Sequence, residues 1–253
     1  MNKIKKNLLA IFLFIIIGFN GFTQNEFRVG ISMGSVYPLN NFKSADYQKL
    51  SSGYSKSGYS LNFDGDYYFH RRLAISARFN FGLTSMNKVA VADWLDAEMI
   101  NYLSENIENN LYSIDYWQFS SPMLGLKYNY PIVMNKFYVE IAGFSGLSIV
   151  NTPNQNLKII DEVNKQAIYS ENISSKTLSV PLMFDGGFRY VANKNIQLKL
   201  QASYFQTKAK YEHINYIVKE NSTEPEELQR SNIEIPIKTL NFSIGIIYNL
   251  SAL

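Results

Sequence analysis

The sequence predicts an all-β fold: an eight-stranded antiparallel up-and-down transmembrane β-barrel with long outer loops, one of them carrying a short helix. Three observations predict it. Eight stretches alternate apolar and polar residues with a period of two, the period of a strand. Their connections alternate strictly between long and short. Charges inside the stretches fall mostly on the face opposite the large apolar side chains.

The chain begins with a segment read as a leader. Lys3, Lys5 and Lys6 form a positive region and Leu8 to Ile17 an uninterrupted apolar run, followed by small or polar residues to Thr23. The run is short for a span, so 1–23 reads as a secretory signal peptide and 24–253 as one barrel domain. There is no cysteine, which closes the routes to lipoprotein anchoring, disulfides and thiolate metal sites. Of 24 basic residues the leader holds three and no acid, so 21 remain against 21 acidic ones and the formal charge is zero. Nothing argues for a nucleic-acid partner. No later stretch is long and apolar enough for a transmembrane helix.

The first strand sets Phe27, Val29, Ile31 and Met33 against Arg28, Gly30, Ser32 and Gly34. A Ser- and Gly-rich loop follows to about Lys56. The second strand sets Tyr59, Leu61, Phe63, Gly65, Tyr67 and Phe69 against Ser60, Asn62, Asp64, Asp66 and Tyr68. After a tight turn at His70-Arg71-Arg72, the third sets Leu73, Ile75, Ala77, Phe79 and Phe81 against Ser76, Arg78, Asn80 and Gly82. The period then changes. Between Met86 and Asn110, apolar residues recur every four, which predicts an amphipathic helix in a long loop, with Asp93 as N-cap. A fourth strand is expected from about Tyr112 to Tyr130, irregular in its first half. The fifth opposes Phe137, Val139 and Ile141 to Tyr138, Glu140 and Ala142. A polar loop is expected over about Asn151 to Ser174. The sixth strand opposes Leu182, Phe184, Phe188 and Tyr190 to Asp185, Gly187 and Arg189, and the seventh opposes Leu198, Leu200 and Tyr204 to Gln197, Lys199 and Gln201. A loop of about 25 residues around Pro225 leads to the closing strand. There Leu240, Phe242, Ile244, Ile246, Tyr248 and Leu250 share one face, and Asn241, Ser243, Gly245 and Asn249 the other, with Ile247 the exception.

Strict long–short alternation is the habit of barrels with short periplasmic turns and long extracellular loops. Aromatic residues border the short turns: Tyr67, Phe69, Tyr128, Tyr130, Phe137, Phe188, Tyr190 and Tyr248. Aligned, they would form one interfacial girdle. A Lys or Arg facing lipid at mid-depth costs ~2–4 kcal/mol. The charged face is therefore the interior, and Arg28, Asp64, Asp66, Arg78, Lys127, Glu140, Asp185, Arg189 and Lys199 are expected as a polar network in the lumen.

Several strands carry a family resemblance. Ser121-Pro122-Met123-Leu124-Gly125-Leu126-Lys127-Tyr128-Asn129-Tyr130 is similar to the "IPLLLKY" strand of the PorT-like outer-membrane β-barrel family of Bacteroidota. Tyr138 to Gly143, Phe184 to Tyr190 and the closing strand resemble it too. The resemblance implies an exported barrel in the outer membrane. Some members act in type IX secretion and gliding; most have no assigned activity. The chain departs from the pattern in its large second and fourth outer loops and in ending Ser251-Ala252-Leu253.

Chemical signatures are scarce. The lumen network reads as a plug of ion pairs, because eight strands enclose little more than their own side chains; a narrow solute channel is the alternative. A lipid-modifying hydrolase would need a nucleophile and base at the outer rim, and His213 with Ser104, Asp161 or Ser170 has no spacing in its favour. Catalytic, cofactor and metal sites are expected to be absent, with Glu224, Glu226 and Glu227 read as a solvated face. The helix stripe Trp94, Leu95, Met99, Leu103 and Ile107 is the candidate partner surface, weighed against a lid lying on the rim. The expected partners are membrane lipid and envelope or surface proteins. The sequence alone thus supports a non-enzymatic structural or accessory protein.

Overall fold

The alternation of the sequence becomes thirteen strands and a short helix in the computed structural model, which describes residues 26–46, 52–91, 107–114, 116–133, 136–153, 155–161, 166–173, 175–219 and 226–250. In chain order these are β1 (Glu26–Pro38), α1 (Asn40–Lys43), β2 (Ser55–His70), β3 (Leu73–Met86), β4 (Ile107–Ile114), β5 (Trp117–Val133) and β6 (Phe137–Gly146). Then come β7 (Ser148–Asn151), β8 (Gln155–Asp161), β9 (Gln166–Ile173), β10 (Lys176–Ser179), β11 (Leu182–Val191), β12 (Ile196–Lys219) and β13 (Glu226–Asn249).

Eight of them close a ring, β1-β2-β3-β5-β6-β11-β12-β13 and back to β1, every pair antiparallel and the ring strands following one another in chain order. The expected up-and-down barrel is the observed one. Hydrogen-bonded partners followed from Arg28 run through Asp66, Ser76, Gly125, Phe144, Met183, Phe205 and Thr239, and return to β1 at Pro38, ten residues beyond the start. Ten residues rising ~3.3 Å each against eight strands spaced ~4.8 Å correspond to a strand tilt of about 40°. That stagger closes the sheet and leaves no edge in the ring.

The outer wall is apolar. On β13 the outward series is Tyr248, Ile246, Ile244, Phe242 and Leu240, ending at Lys238. With the tilt above, that run is about 25 Å tall along the barrel axis, the height of a membrane barrel's apolar band. The eight girdle aromatics line its lower border on the outer face. Phe137 and Tyr190 lie 4.8 Å apart between centroids with their rings tilted by 38°, and the Arg72 guanidinium lies 5.5 Å from the Tyr130 ring.

The ends opposite the short turns depart from expectation. β7 and β10 prolong β6 and β11 past breaks at Leu147 and at Val180-Pro181. Proline has no N–H for the ladder, which accounts for the second break. There β10 meets β12 through hydroxyls: Thr177 Oγ1 accepts from Lys210 N at 2.8 Å and donates to Lys210 O at 2.9 Å.

The expected polar loop over Asn151 to Ser174 contains the β8–β9 hairpin. The expected last loop is mostly strand, since β12 and β13 are 24 residues each. Its alternation, Ile233, Ile235 and Ile237 against Asn232, Glu234 and Pro236, continues that of the barrel. The expected fourth strand is two: β4 pairs with β8, and β5 begins regularly at Trp117. Together β13, β12, β9, β8 and β4 form a sheet that rises past the apolar band.

Ile107 is a correction. Rather than closing a helix, it opens β4 opposite Asp161. Pairing with β8 satisfies the backbone groups of β4 that face it. Trp94, Leu95, Met99 and Leu103 lie outside the described residues. The helices among the described residues are α1, in the first long loop, and a turn at 88–91.

Candidate functional site

The interior is the candidate site, and alternation puts it there. Each inward position of the ring lies two residues from the next. All nine charged residues expected in the lumen point inward, their side chains buried. They form two tiers.

In the upper tier Asp64 accepts from Arg78 Nε at 2.6 Å and from Lys199 Nζ at 2.5 Å. Arg78 Nη1 also bonds Asp185, Nη2 reaches Gln201 Oε1 at 3.4 Å, and the guanidinium stands 4.4 Å from the centre of the Phe144 ring. In the lower tier Lys127 Nζ donates to Asp66 at 2.5 Å, and Ser76 bonds the other oxygen of Asp66. Arg189 donates to Glu140 at 2.6 Å and to Gln197 at 2.7 Å, with Tyr138 under its face at 4.0 Å. Arg28 lies 4.1 Å from the Tyr68 ring and bonds both oxygens of Glu26, at 3.0 and 2.7 Å.

Sequence reasoning missed Glu26. With it, five carboxylates (Glu26, Asp64, Asp66, Glu140, Asp185) face five cations (Arg28, Arg78, Lys127, Arg189, Lys199). Its signal was its spacing: Glu26 is two residues from Arg28, hence on the same face. Gln197 and Gln201 were readable by the same rule.

Above the charges the inward face changes character. Met123, Phe144, Met183, Phe119, Phe205, Ile235, Ile237 and Trp117 form one buried apolar cluster. Phe119 and Phe205 stack at 5.4 Å, Phe42 of α1 meets Trp117 edge-on at 5.4 Å, and Tyr211 meets it at 6.4 Å. Trp117 Nε1 donates to the Gly53 carbonyl at 3.0 Å. The described residues of the first long loop thus fold inward as a cap, burying Phe42 and Tyr54, and Val91 of the next long connection joins the same cluster. Tyr54 holds a left-handed φ of 48°, which a tyrosine adopts only under constraint; its N–H bonds Ser44 O at 3.0 Å and its carbonyl takes Asn87 N at 2.7 Å. From the sequence the lumen is expected to hold a plug of ion pairs, and no apolar cluster is placed above it. The cluster follows because eight strands leave just the width that aromatic side chains fill.

Between the tiers and the cap, Asn80 and Asn241 are buried, and neither end of either amide has a protein partner among the described residues. Such groups cost ~1–3 kcal/mol each unless ordered water reaches them.

The register sets two of the hydrolase candidates, His213 and Ser170, on the neighbouring strands β12 and β9, one diagonal position apart. His213 stands opposite Ser231 and Asn172, and Ser170 opposite Asn215 and Leu157, both in the mid-region of strands. Asp161 lies at the β8–β9 turn opposite Gln166, and Ser104 and Glu224 lie outside the described residues. The backbone at Glu226 and Glu227 is paired with Ile217 and Tyr216. His70 sits in a short turn, its Nδ1 accepting from Arg72 N at 3.3 Å.

No family model and no curated protein sequence matches the chain. Among solved structures, OprG of Pseudomonas aeruginosa is similar, at 12% identity and a TM-score of 0.49, covering 91% of this chain and 98% of that one. Ail, the attachment invasion locus protein of Yersinia pestis, is 13% identical with a TM-score of 0.41, covering 90% and 100%. Neisserial surface protein A is 13% identical with a TM-score of 0.42, covering 88% and 96%. These likenesses assign no activity to this chain.

Proposed function

We propose that the chain is an outer-membrane barrel with a non-enzymatic, structural or accessory role, docking envelope or surface proteins through its extracellular sheet and loops. The observation that carries this reading is the division of the molecule. The lumen is filled by ion pairs below and aromatic rings above, while β13, β12, β9, β8 and β4 continue beyond the apolar band. Substance has been placed where a partner can reach it and not along a path for solute. The apolar outer wall supports the location, since exposed bands of this size are stable only against lipid. The leader-like first 23 residues and the resemblance to PorT-like barrels support export and a link to secretion or cell-surface assembly.

The test pairs a loss with a control. The β8–β9 hairpin, residues 155–173, is replaced by a short Gly-Ser turn in cells carrying a photo-crosslinker at Lys210. The shortened barrel is expected to fold and insert yet lose adducts with envelope proteins that the full chain forms. Reproducible single-channel steps from the purified full chain would favour the channel instead.

A further inference from the structure

The outer wall is not uniformly filled. β1, β11, β12 and β13 enclose a groove of about 550 Å³. Its outward walls are Met33, Phe188, Leu200, Phe242 and Ile244, all exposed, and its floor is Gly186 and Ala202. A Cβ built on Gly186 would meet no atom within 4 Å, so the floor is open to the outside. The groove lies within the apolar band, where its neighbours are acyl chains.

Charge gathers farther up the same strands. On β13, Lys238 stands four residues above Phe242, ~13 Å along the strand. On β12, Lys208 faces Pro236 and Lys210 faces Glu234. Glu234 pairs with Lys208 at 2.7 Å and Lys210 at 3.3 Å, so two cations share one carboxylate and Lys238 adds a third positive charge at the upper edge of the band. The next outward pair, Arg230 with Glu212 at 3.0 Å, is balanced. Among the described ion pairs of β12 and β13, the positive excess therefore lies at the level of lipid headgroups, above a slot for an acyl chain.

We propose that this strip binds a phosphorylated lipid of the outer leaflet, one acyl chain lying over Gly186 and Ala202 and the phosphate on Lys208, Lys210 and Lys238. Lysine fits this position because its apolar stem lies along the band while its ammonium reaches upward to the phosphate. The leaflet assignment rests on the outward orientation of the long connections proposed above; the lipid site itself does not.

The experiment offers purified barrel in mixed micelles a diphosphoryl lipid A, or the same lipid with its phosphates removed, and reads retained lipid by native mass spectrometry. The phosphorylated form is expected to be retained in preference, and each of K208Q and K238Q to weaken retention about fivefold, the equivalent of ~1 kcal/mol per lysine. Gly186→Phe, which fills the slot, should reduce retention of both forms, and Arg230→Gln should change neither. Equal retention of the two lipids, or full retention by the K208Q/K238Q double variant, would overturn the site; Lys208 is exposed and Lys238 half-buried, both on the outer face, so these changes leave the core intact. Displacement by millimolar inorganic phosphate would overturn the lipid as its source. In cells, Lys210→Cys is expected to label with an impermeant thiol reagent; labelling only after permeabilisation would overturn the leaflet assignment while leaving in vitro retention as the test of the site.

Discussion

Arg78 ties three strands of the wall together across the lumen, through Asp64 on β2, Asp185 on β11 and Gln201 on β12. Taking it away leaves buried carboxylates with fewer partners, and breaking such a pair from one side costs ~3–5 kcal/mol. Arg78→Ala is therefore expected to lose that much in reversible folding into lipid vesicles. Removing Asp185 as well should cost less than the two single losses added, because the second change removes a charge the first had stranded. Ile244 and Ser243 test the wall from the other direction. Ile244 is 60% exposed on the outside and Ser243 is 8% exposed on the inside. Ile244→Arg should cost ~2–4 kcal/mol by exposing a charge to lipid. Ser243→Arg should cost ~1–3 kcal/mol by overpacking the filled interior. Equal tolerance of both would contradict the register.

At the scale of elements, the long and short connections divide the barrel into two ends. Cysteines at Ser170, in β9, and at Ser222, between β12 and β13, are expected to react with an impermeant reagent on intact cells. One at Asn193, in the turn between β11 and β12, is expected to stay silent until the membrane is opened. The reverse pattern would turn the barrel over. The outer strands of this end were legible in part. Ile233, Ile235 and Ile237 keep the strand period through what looked like loop, masked by the Glu-rich stretch around Pro225. The β8–β9 hairpin was not legible, because a short hairpin borrows its stability from the strand beside it, here β12.

For the molecule as a whole, the two fillings of the lumen act in series. Ions crossing it would have to displace the Arg78–Asp64 tier and then pass the stacked Phe119 and Phe205. Single-channel recording of the purified barrel is expected to show no steps. Arg78→Ala alone should remain silent, because the apolar cap is untouched; opening should require that change together with Phe119→Ala and Phe205→Ala. Steps from Arg78→Ala alone would show that the charged tier is the sole barrier.

What the sequence determined by itself was the wall. A period of two assigns each residue to one face, and the cost of a charge in lipid says which face is which, so strand number, closure and the nine lumen charges could be read from order alone. What only the tertiary structure decided was how the interior is filled. The stagger of ten residues sets Asp64 beside Lys199 and Arg78 beside Asp185, residues more than a hundred positions apart in the chain. The same stagger stacks Phe119 on Phe205 and brings Phe42 down over Trp117. Periodicity is a property of one strand, whereas these meetings depend on the shear and width of the closed ring, which no single strand carries.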